Sequence, residues 1–380
     1  MTRLNSPTAR NPTRLLPALQ VWQDRDFARG GGVILGNLRS FDRSEGLVRQ
    51  AVGETPKLPR FGALDLGTNN CRLLIAEPEG EGFRVVDSFS RIVRLGEGFA
   101  VNRQLTRRAA RRTIAALNVC ARKLHDRGVG EARCVATEVC RRARNGDAFV
   151  DRVRKATGLR LEIISPEEEA SLTFAGCGDL LEAREGYALV FDIGGGSTEV
   201  IWVRTEASGV TRIEGSVSLP IGVVTLAEES GDMHVTSEAY SDMVRKVSAL
   251  LSDFETTHGI TRHIAKGDVQ MLGTSGTTTT LAGVALDLRR YDRARVDGSY
   301  LDRAQFDGLI ARLLATTLEE RVANPCIGKG RADLVIQGCA ILEAIWCAWP
   351  LPRLRVADRG IREGILKNLI RAAGNAKPLP

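Results

Sequence analysis

No stretch of this 380-residue chain approaches the ~20 consecutive apolar residues that a membrane-spanning helix needs. The apolar stretch from Leu15 to Trp22 is short and sits among Arg and Asp, so the N-terminal region carries no signal-peptide pattern. The eight cysteines (71, 120, 134, 140, 177, 326, 339 and 347) include no CxxC pair and have no histidine at ligand spacing. That excludes a zinc site or a disulfide frame, and they read as small apolar residues in a reducing compartment. Histidine is scarce, with four in all. His125-Asp126 resembles an HD metal pair only superficially and reads as structural, because it ends an amphipathic helical pattern. What is present is an ordinary globular balance of 43% hydrophobic and 26% charged residues. The length suits two or three domains. The expectation is a soluble cytoplasmic protein with no membrane partner.

The net charge of +7 is unevenly placed. Residues 1–60 hold ten Arg and Lys against five Asp and Glu, leaving about +2 for the rest. With Pro, Gly, Asn and Arg and no sustained periodicity, residues 1–58 read as a flexible basic extension. Composition leaves open whether this extension also attracts a polyanion.

From Phe61 the character changes. FGALDLG is an apolar run ending in Asp and Gly, followed by RLLIAEP (72–78) and FRVVDSF (83–89), and the three read as an antiparallel meander. Thr106 can cap a helix with Ile114, Leu117, Ala121 and Leu124 at helical spacing and Gly128 as a stop. A strand over 132–137, a helix over 145–157 and a strand over 160–165 follow. The pattern then restarts, with YALVFDIGGG (187–196) and TEVIWVR (198–204) as paired strands. Strand and turn over 216–222, a helix near 237–258, strand into loop over 270–277, and helix from there to the end complete the expectation. Two halves, each opening strand–Asp–x–Gly–turn–strand, predict a duplicated α/β domain. Ligands of such sheets sit beyond the carboxyl ends of the strands, so the cleft between domains is the expected site.

The first loop is Asp65-Leu66-Gly67-Thr68-Asn69-Asn70, and the second is Asp192 to Glu199, reading DIGGGSTE. Glycines such as Gly67, Gly194, Gly195 and Gly196 let backbone N–H groups approach phosphate oxygens, and Thr68, Asn69 and Ser197 add donors. Each Asp ends a strand and can hold Mg²⁺, which prefers carboxylate and water oxygens. Either loop alone is weak. Two of them 127 residues apart, together with Gly273, Ser275, Gly276 and Thr277 in a third Gly/Thr loop, form a phosphate-binding constellation.

Paired Asp-x-Gly-Ser/Thr loops resemble those of the actin-like phosphotransferase superfamily, and DIGGGSTE resembles its exopolyphosphatase / guanosine pentaphosphate phosphohydrolase branch. Further matches are Arg94–Gly98, Ala136-Thr137 with Arg141, Ser165–Ala170, Gly273–Thr277 and Ala357–Gly364. Together they cover residues 61 to about 373. The last segment departs from the commonest family form, with Ala357 for Ser and Arg359 for Gly. The resemblance implies an actin-like (ribonuclease H-like) duplicated two-domain ATPase-type fold. Domain I would span 61–172, domain II 173–360, and a helix over 361–374 would pack back on domain I.

The resemblance also assigns roles. Glu169 aligns with the family's catalytic glutamate, a carboxylate that can deprotonate water for attack on a terminal phosphorus. Asp192, with Asp65 and Glu199, would hold Mg²⁺ or Mn²⁺, and Arg141 would lie near the phosphate. Arg72 is a weaker candidate. Glu167 and Glu168 are read as structural instead. Ser165 is a natural N-cap, Pro166 suits the first helical position, and Glu168 completes a capping box. The implied reaction removes the terminal phosphate of polyphosphate or the 5′ γ-phosphate of guanosine pentaphosphate (pppGpp), in a homodimer and without nucleic acid. An actin-superfamily ATPase or kinase, and a non-hydrolytic (p)ppGpp sensor, are the rival readings.

Overall fold

The computed structural model describes residues 58–230 and 235–375, so the basic extension lies outside them apart from Leu58. Two mixed sheets organise the chain. In lobe I, β1 (Phe61–Leu66), β2 (Asn70–Glu79) and β3 (Gly82–Ile92) form the antiparallel meander. β4 (Glu131–Ala136) and β5 (Leu161–Ile163) continue it in parallel on the other side of β1, giving the order β3-β2-β1-β4-β5.

In lobe II the strands are β6 (Gly186–Ile193), β7 (Thr198–Thr205), β8 (Thr211–Leu219), β9 (Val269–Thr274), β10 (Tyr300–Asp302) and β11 (Arg353–Ala357). Their order is β10-β11-β9-β6-β7-β8. Without the edge strand β10 this repeats lobe I, with β6 to β9 and β9 to β11 parallel. The irregularities repeat too. A register shift falls between Ile75 and Ala76 in the β2–β3 pairing, and between Trp202 and Val203 at the corresponding place in β7–β8. The protein has the actin-like duplicated α/β fold.

Local sequence explains the helices that bridge these strands. Thr106 accepts the Ala109 N–H and starts the Arg107–Asp126 helix, which buries Ala109, Thr113, Ala116, Leu117, Cys120 and Leu124. That stripe lies slightly off the expected one, with Ile114 and Ala121 only half-buried. The chain leaves through Gly128 at φ 60°, a left-handed conformation that glycine adopts without penalty. His125 is exposed at the end of this helix. Helix to the end, expected beyond residue 277, is corrected: β10 and β11 intervene, and the helix over Gly276–Ala285 ends before a left-handed Asp287. β11 is five residues long, alternates Arg353-Leu354-Arg355-Val356 with the leucine and valine buried, and pairs in parallel with β9.

Each lobe has its own apolar core. The Ile361–Asn375 helix leaves β11 and buries Ile361, Ile365 and Leu366 against Phe61, Ala63, Leu74 and Leu172. It crosses the Pro166–Cys177 helix so closely that a Cβ on Gly176 would collide with the Gly360 carbonyl, and one on Gly364 with that of Leu172.

Candidate active site

The two Asp-x-Gly turns fold alike. Gly67 N–H donates to Asn70 C=O at 2.9 Å, and Gly194 N–H donates to Ser197 C=O at 2.9 Å. Each turn is then held from behind by its own lobe. The Asn69 carbonyl accepts from Val93 and Arg94 N–H, and the Thr68 carbonyl accepts from Gly96 N–H. This gives the Arg94–Gly98 segment a structural task. In lobe II, Val223 and Val224 N–H donate to the Gly194 and Gly195 carbonyls. The turns meet across the cleft: a Cβ on Gly195 would lie 3.2 Å from Asn69, and one on Gly196 would run into the Thr68 hydroxyl. Only glycine permits this approach. The third loop adds Ser275 at φ 112°, a strained conformation for a side-chain-bearing residue, with its hydroxyl accepting Thr277 N–H at 3.1 Å.

Four acidic side chains converge on the cavity between these loops. Asp65 and Asp192 lie in the opening strands of the two sheets, and Glu199 stands directly opposite Asp192 in the β6–β7 pairing. Glu169 comes from the first turn of the Pro166–Cys177 helix, whose N-cap Ser165 accepts Glu168 N–H at 3.2 Å. The capping box is only half formed, because the Glu168 carboxylate turns instead to Arg133. Glu169 and Glu199 are buried, at 5% and 2% exposure, whereas Glu168 is only half-buried.

Burial dominates the electrostatics of this group. It holds the Glu169 carboxyl well above the ordinary carboxylate range, with the Glu199 charge adding and Arg141 opposing. It lifts Asp192 to about 6, opposed by Arg72 and reinforced by Asp65. Glu199 rises to about 7 through burial and then Asp192, although Ser197 and Ser218 hydrogen bonds favour its charged form. Asp65 is raised by burial against the pull of Arg72 and Arg362. Such a set is short of positive charge.

The cavity is lined by Asp65, Gly67, Thr68, Asn69, Glu169, Asp192, Gly194, Gly195, Gly196, Ser197, Glu199, Ser275, Gly276 and Thr277, all singled out by sequence. Gly273 does not line it. It lies within β9, where a Cβ would strike Phe191 and Thr278, so its smallness serves packing. Arg141 does not line it either. Its guanidinium donates to the Ile164 carbonyl at 2.7 Å, to Glu169 at 3.2 Å and to Glu138 at 2.9 Å. Sequence reasoning passed over Arg331, which faces the cavity from lobe II and donates to the Thr280 hydroxyl, and it gave Arg72 only a weak place. Burial and the nearby Arg72 charge both lower the Arg331 pKa. A second cavity adjoins the first and shares Arg72, Arg331 and Asp65 with it, adding Arg359 and Arg362. A lone arginine in a polar segment carries no local signal that could have marked Arg331.

Residues 74–372 match the model of the Ppx/GppA phosphatase family. Exopolyphosphatase 2 of Mycobacterium tuberculosis is 31% identical over 329 residues, covering 82% of this chain and 99% of that protein. A guanosine-5′-triphosphate,3′-diphosphate pyrophosphatase of Aeromonas salmonicida is 28% identical over 314 residues, and the match spans 60% of its length. A crystal structure of the Aquifex aeolicus member of the Ppx/GppA protein family superposes with a TM-score of 0.68 at 26% identity, covering 84% of this chain and all of that one. The chain belongs to the Ppx/GppA phosphatase family.

Proposed function

We propose that this Ppx/GppA phosphatase removes the terminal phosphate of inorganic polyphosphate, or the 5′ γ-phosphate of pppGpp, by attack of a water that Glu169 deprotonates. The observation that carries this is a buried carboxylate, Glu169, in the same cavity as two glycine-turn phosphate cradles. The names of the Mycobacterium and Aeromonas relatives supply the two substrate classes.

The chemistry follows from the residues. Backbone N–H groups of the loops at Gly67 and Gly194–Gly196, with Arg72 and Arg331, receive the phosphate oxygens. Ionised Glu169 accepts a proton as the water oxygen bonds to phosphorus, and the bridging P–O bond breaks so that its oxygen leaves with the shortened polyphosphate or with the 5′-diphosphate end of ppGpp. Burial raises the proton affinity of Glu169, which makes it a stronger proton acceptor than an ordinary carboxylate.

A divalent cation fits this donor set in one particular way. Among the described residues no three acidic, Cys or His side chains cluster tightly enough to hold a metal by themselves. Asp192, Asp65 and Glu199 line or border the cavity, and the buried Asn69 Oδ1 has no hydrogen-bond partner. A site with a few carboxylate oxygens, completed by phosphate and water, is the habit of Mg²⁺ and Mn²⁺ rather than of a protein-only cage. Such an ion would neutralise charge on the phosphate oxygens. Assembly as a homodimer and action in the cytoplasm belong to the same reading, and sedimentation analysis tests the first.

Phosphate release from long polyphosphate, short polyphosphate, pppGpp and ATP, measured in parallel with Mg²⁺ and with EDTA, tests the proposal. Release from one of the first three, abolished by EDTA, is expected. Turnover confined to ATP, or binding of pppGpp without turnover, would replace it with an ATPase or a sensor.

A further inference from the structure

Glu138 is a buried carboxylate that the reaction outlined above does not use. It opens the short Glu138–Arg142 helix just beyond β4 and is 7% exposed. Both of its oxygens are taken, Oε2 by Arg141 Nη2 at 2.9 Å and Oε1 by Arg142 Nη1 at 2.8 Å. The Arg142 guanidinium also lies over the ring of the buried Phe99, 5.7 Å from its centroid, which fixes the outer end of the chain of contacts. Toward the cleft, a Cβ on Gly196 would stand 3.2 Å from Glu138 Cγ, so Glu138 abuts the second phosphate loop as well.

Arg141 is the link inward. One edge of its planar fork holds Glu138, and its other amino group reaches the Ile164 carbonyl and Glu169 Oε2. A guanidinium transmits orientation because its donors are fixed in one plane. With Glu138 in place the plane is set, and Glu169 is held through Oε2. Without it, Arg141 can close on both Glu169 oxygens or turn away, and either movement redirects the carboxylate. Misplacement of a reacting group by about 1 Å costs on the order of 10²-fold in rate.

We propose that Glu138 is a positioning residue, holding Arg141 so that Arg141 aims the Glu169 carboxylate into the cavity. The proposal rests on the assignment of Glu169 as the group that activates water. A residue that merely balanced two half-buried arginines would affect folding alone, so the test separates rate from stability.

On the full chain, Glu138→Ala should lower kcat about 10–100-fold with KM changed by no more than about threefold. Glu138→Gln keeps an acceptor oxygen and should recover much of the loss. In a Glu169→Gln background, Glu138→Ala should cost no more than about threefold further, because the group it aims has gone. Equal losses in both backgrounds, or a raised KM at unchanged kcat, would overturn the proposal. Thermal unfolding gives a reading free of activity. Glu138→Ala and Glu169→Gln together should lower Tm by more than their sum, since only the double change leaves Arg141 with no carboxylate partner, and in an Arg141→Met background they should add. Additive shifts with Arg141 present would also overturn it. A wild-type chain that releases no phosphate refutes the hydrolase assignment instead, and the thermal cycle still decides whether Glu138 and Glu169 are coupled.

Discussion

Arg72 and Glu199 occupy the same position of the repeated hairpin: Arg72 stands directly across the β1–β2 pairing from Asp65, and Glu199 directly across the β6–β7 pairing from Asp192. Duplication has thus left one hairpin with an acid facing a base and the other with an acid facing an acid. The cavity between them receives both. The lobe I hairpin thus offers one positive group to the cavity, and the lobe II hairpin offers two carboxylates.

Arg72→Ala should therefore weaken substrate binding more than it slows the chemical step. Loss of a charge-assisted contact to phosphate, worth about 1.5–3 kcal/mol, corresponds to a KM raised roughly 10–100-fold. Arg331→Ala should act in the same direction from the other lobe. Steady-state phosphate release measures both, and an unchanged KM would mean that Arg72 serves only to offset Asp65 and Asp192.

Neighbouring glutamates in one helical turn should part company. Glu169→Gln keeps size and hydrogen bonding but removes the base, at a cost on the order of 10²–10⁴ in rate. Glu168→Gln touches a half-buried, solvent-accessible carboxylate paired with Arg133, so turnover should stay nearly unchanged and stability should fall by no more than about 1 kcal/mol. Loss of turnover at Glu168 with activity kept at Glu169 would reverse the two roles.

The cavity acids should also shape stability in the absence of metal. Asp192 rises from an ordinary 3.8 to about 6 and Glu199 from 4.5 to about 7. Between those limits the folded protein holds protons that the unfolded chain has released, so stability present at low pH is lost as pH rises through about 4 to 7. In EDTA, Tm should fall by several degrees from pH 5 to 7.5, and Asp192→Asn should flatten that fall. Added Mg²⁺ should oppose it most at the higher pH. A Tm that climbs over this interval in EDTA would contradict the burial of these groups.

Gly176→Ala should be among the costliest small substitutions, because its Cβ meets the Gly360 carbonyl at the start of the Ile361–Asn375 helix, which crosses the Pro166–Cys177 helix. A loss of about 1–3 kcal/mol is expected for such overpacking. Gly374, with nothing within 4 Å of a built Cβ, is the control. There alanine should be neutral or slightly stabilising, as read by denaturant unfolding.

The sequence by itself determined the two Asp-x-Gly hairpins, the caps at Thr106 and Ser165, and the family to which the chain belongs. These signals are local: a turn that needs glycine, a cap that needs a hydroxyl and a buried strand that needs apolar residues are each written within a few positions. Tertiary structure alone decided that Arg331 joins Arg72 in one cavity and that Arg141 grips Glu138 and Glu169 instead of lining it. The same holds for Gly273, which makes room for Phe191. Each of these depends on segments far apart in the chain, as does the 2.7 Å contact of Arg94 with Asp333 across 239 positions. Burial and charge pairing are properties of what the fold brings together, and no window of sequence contains both partners.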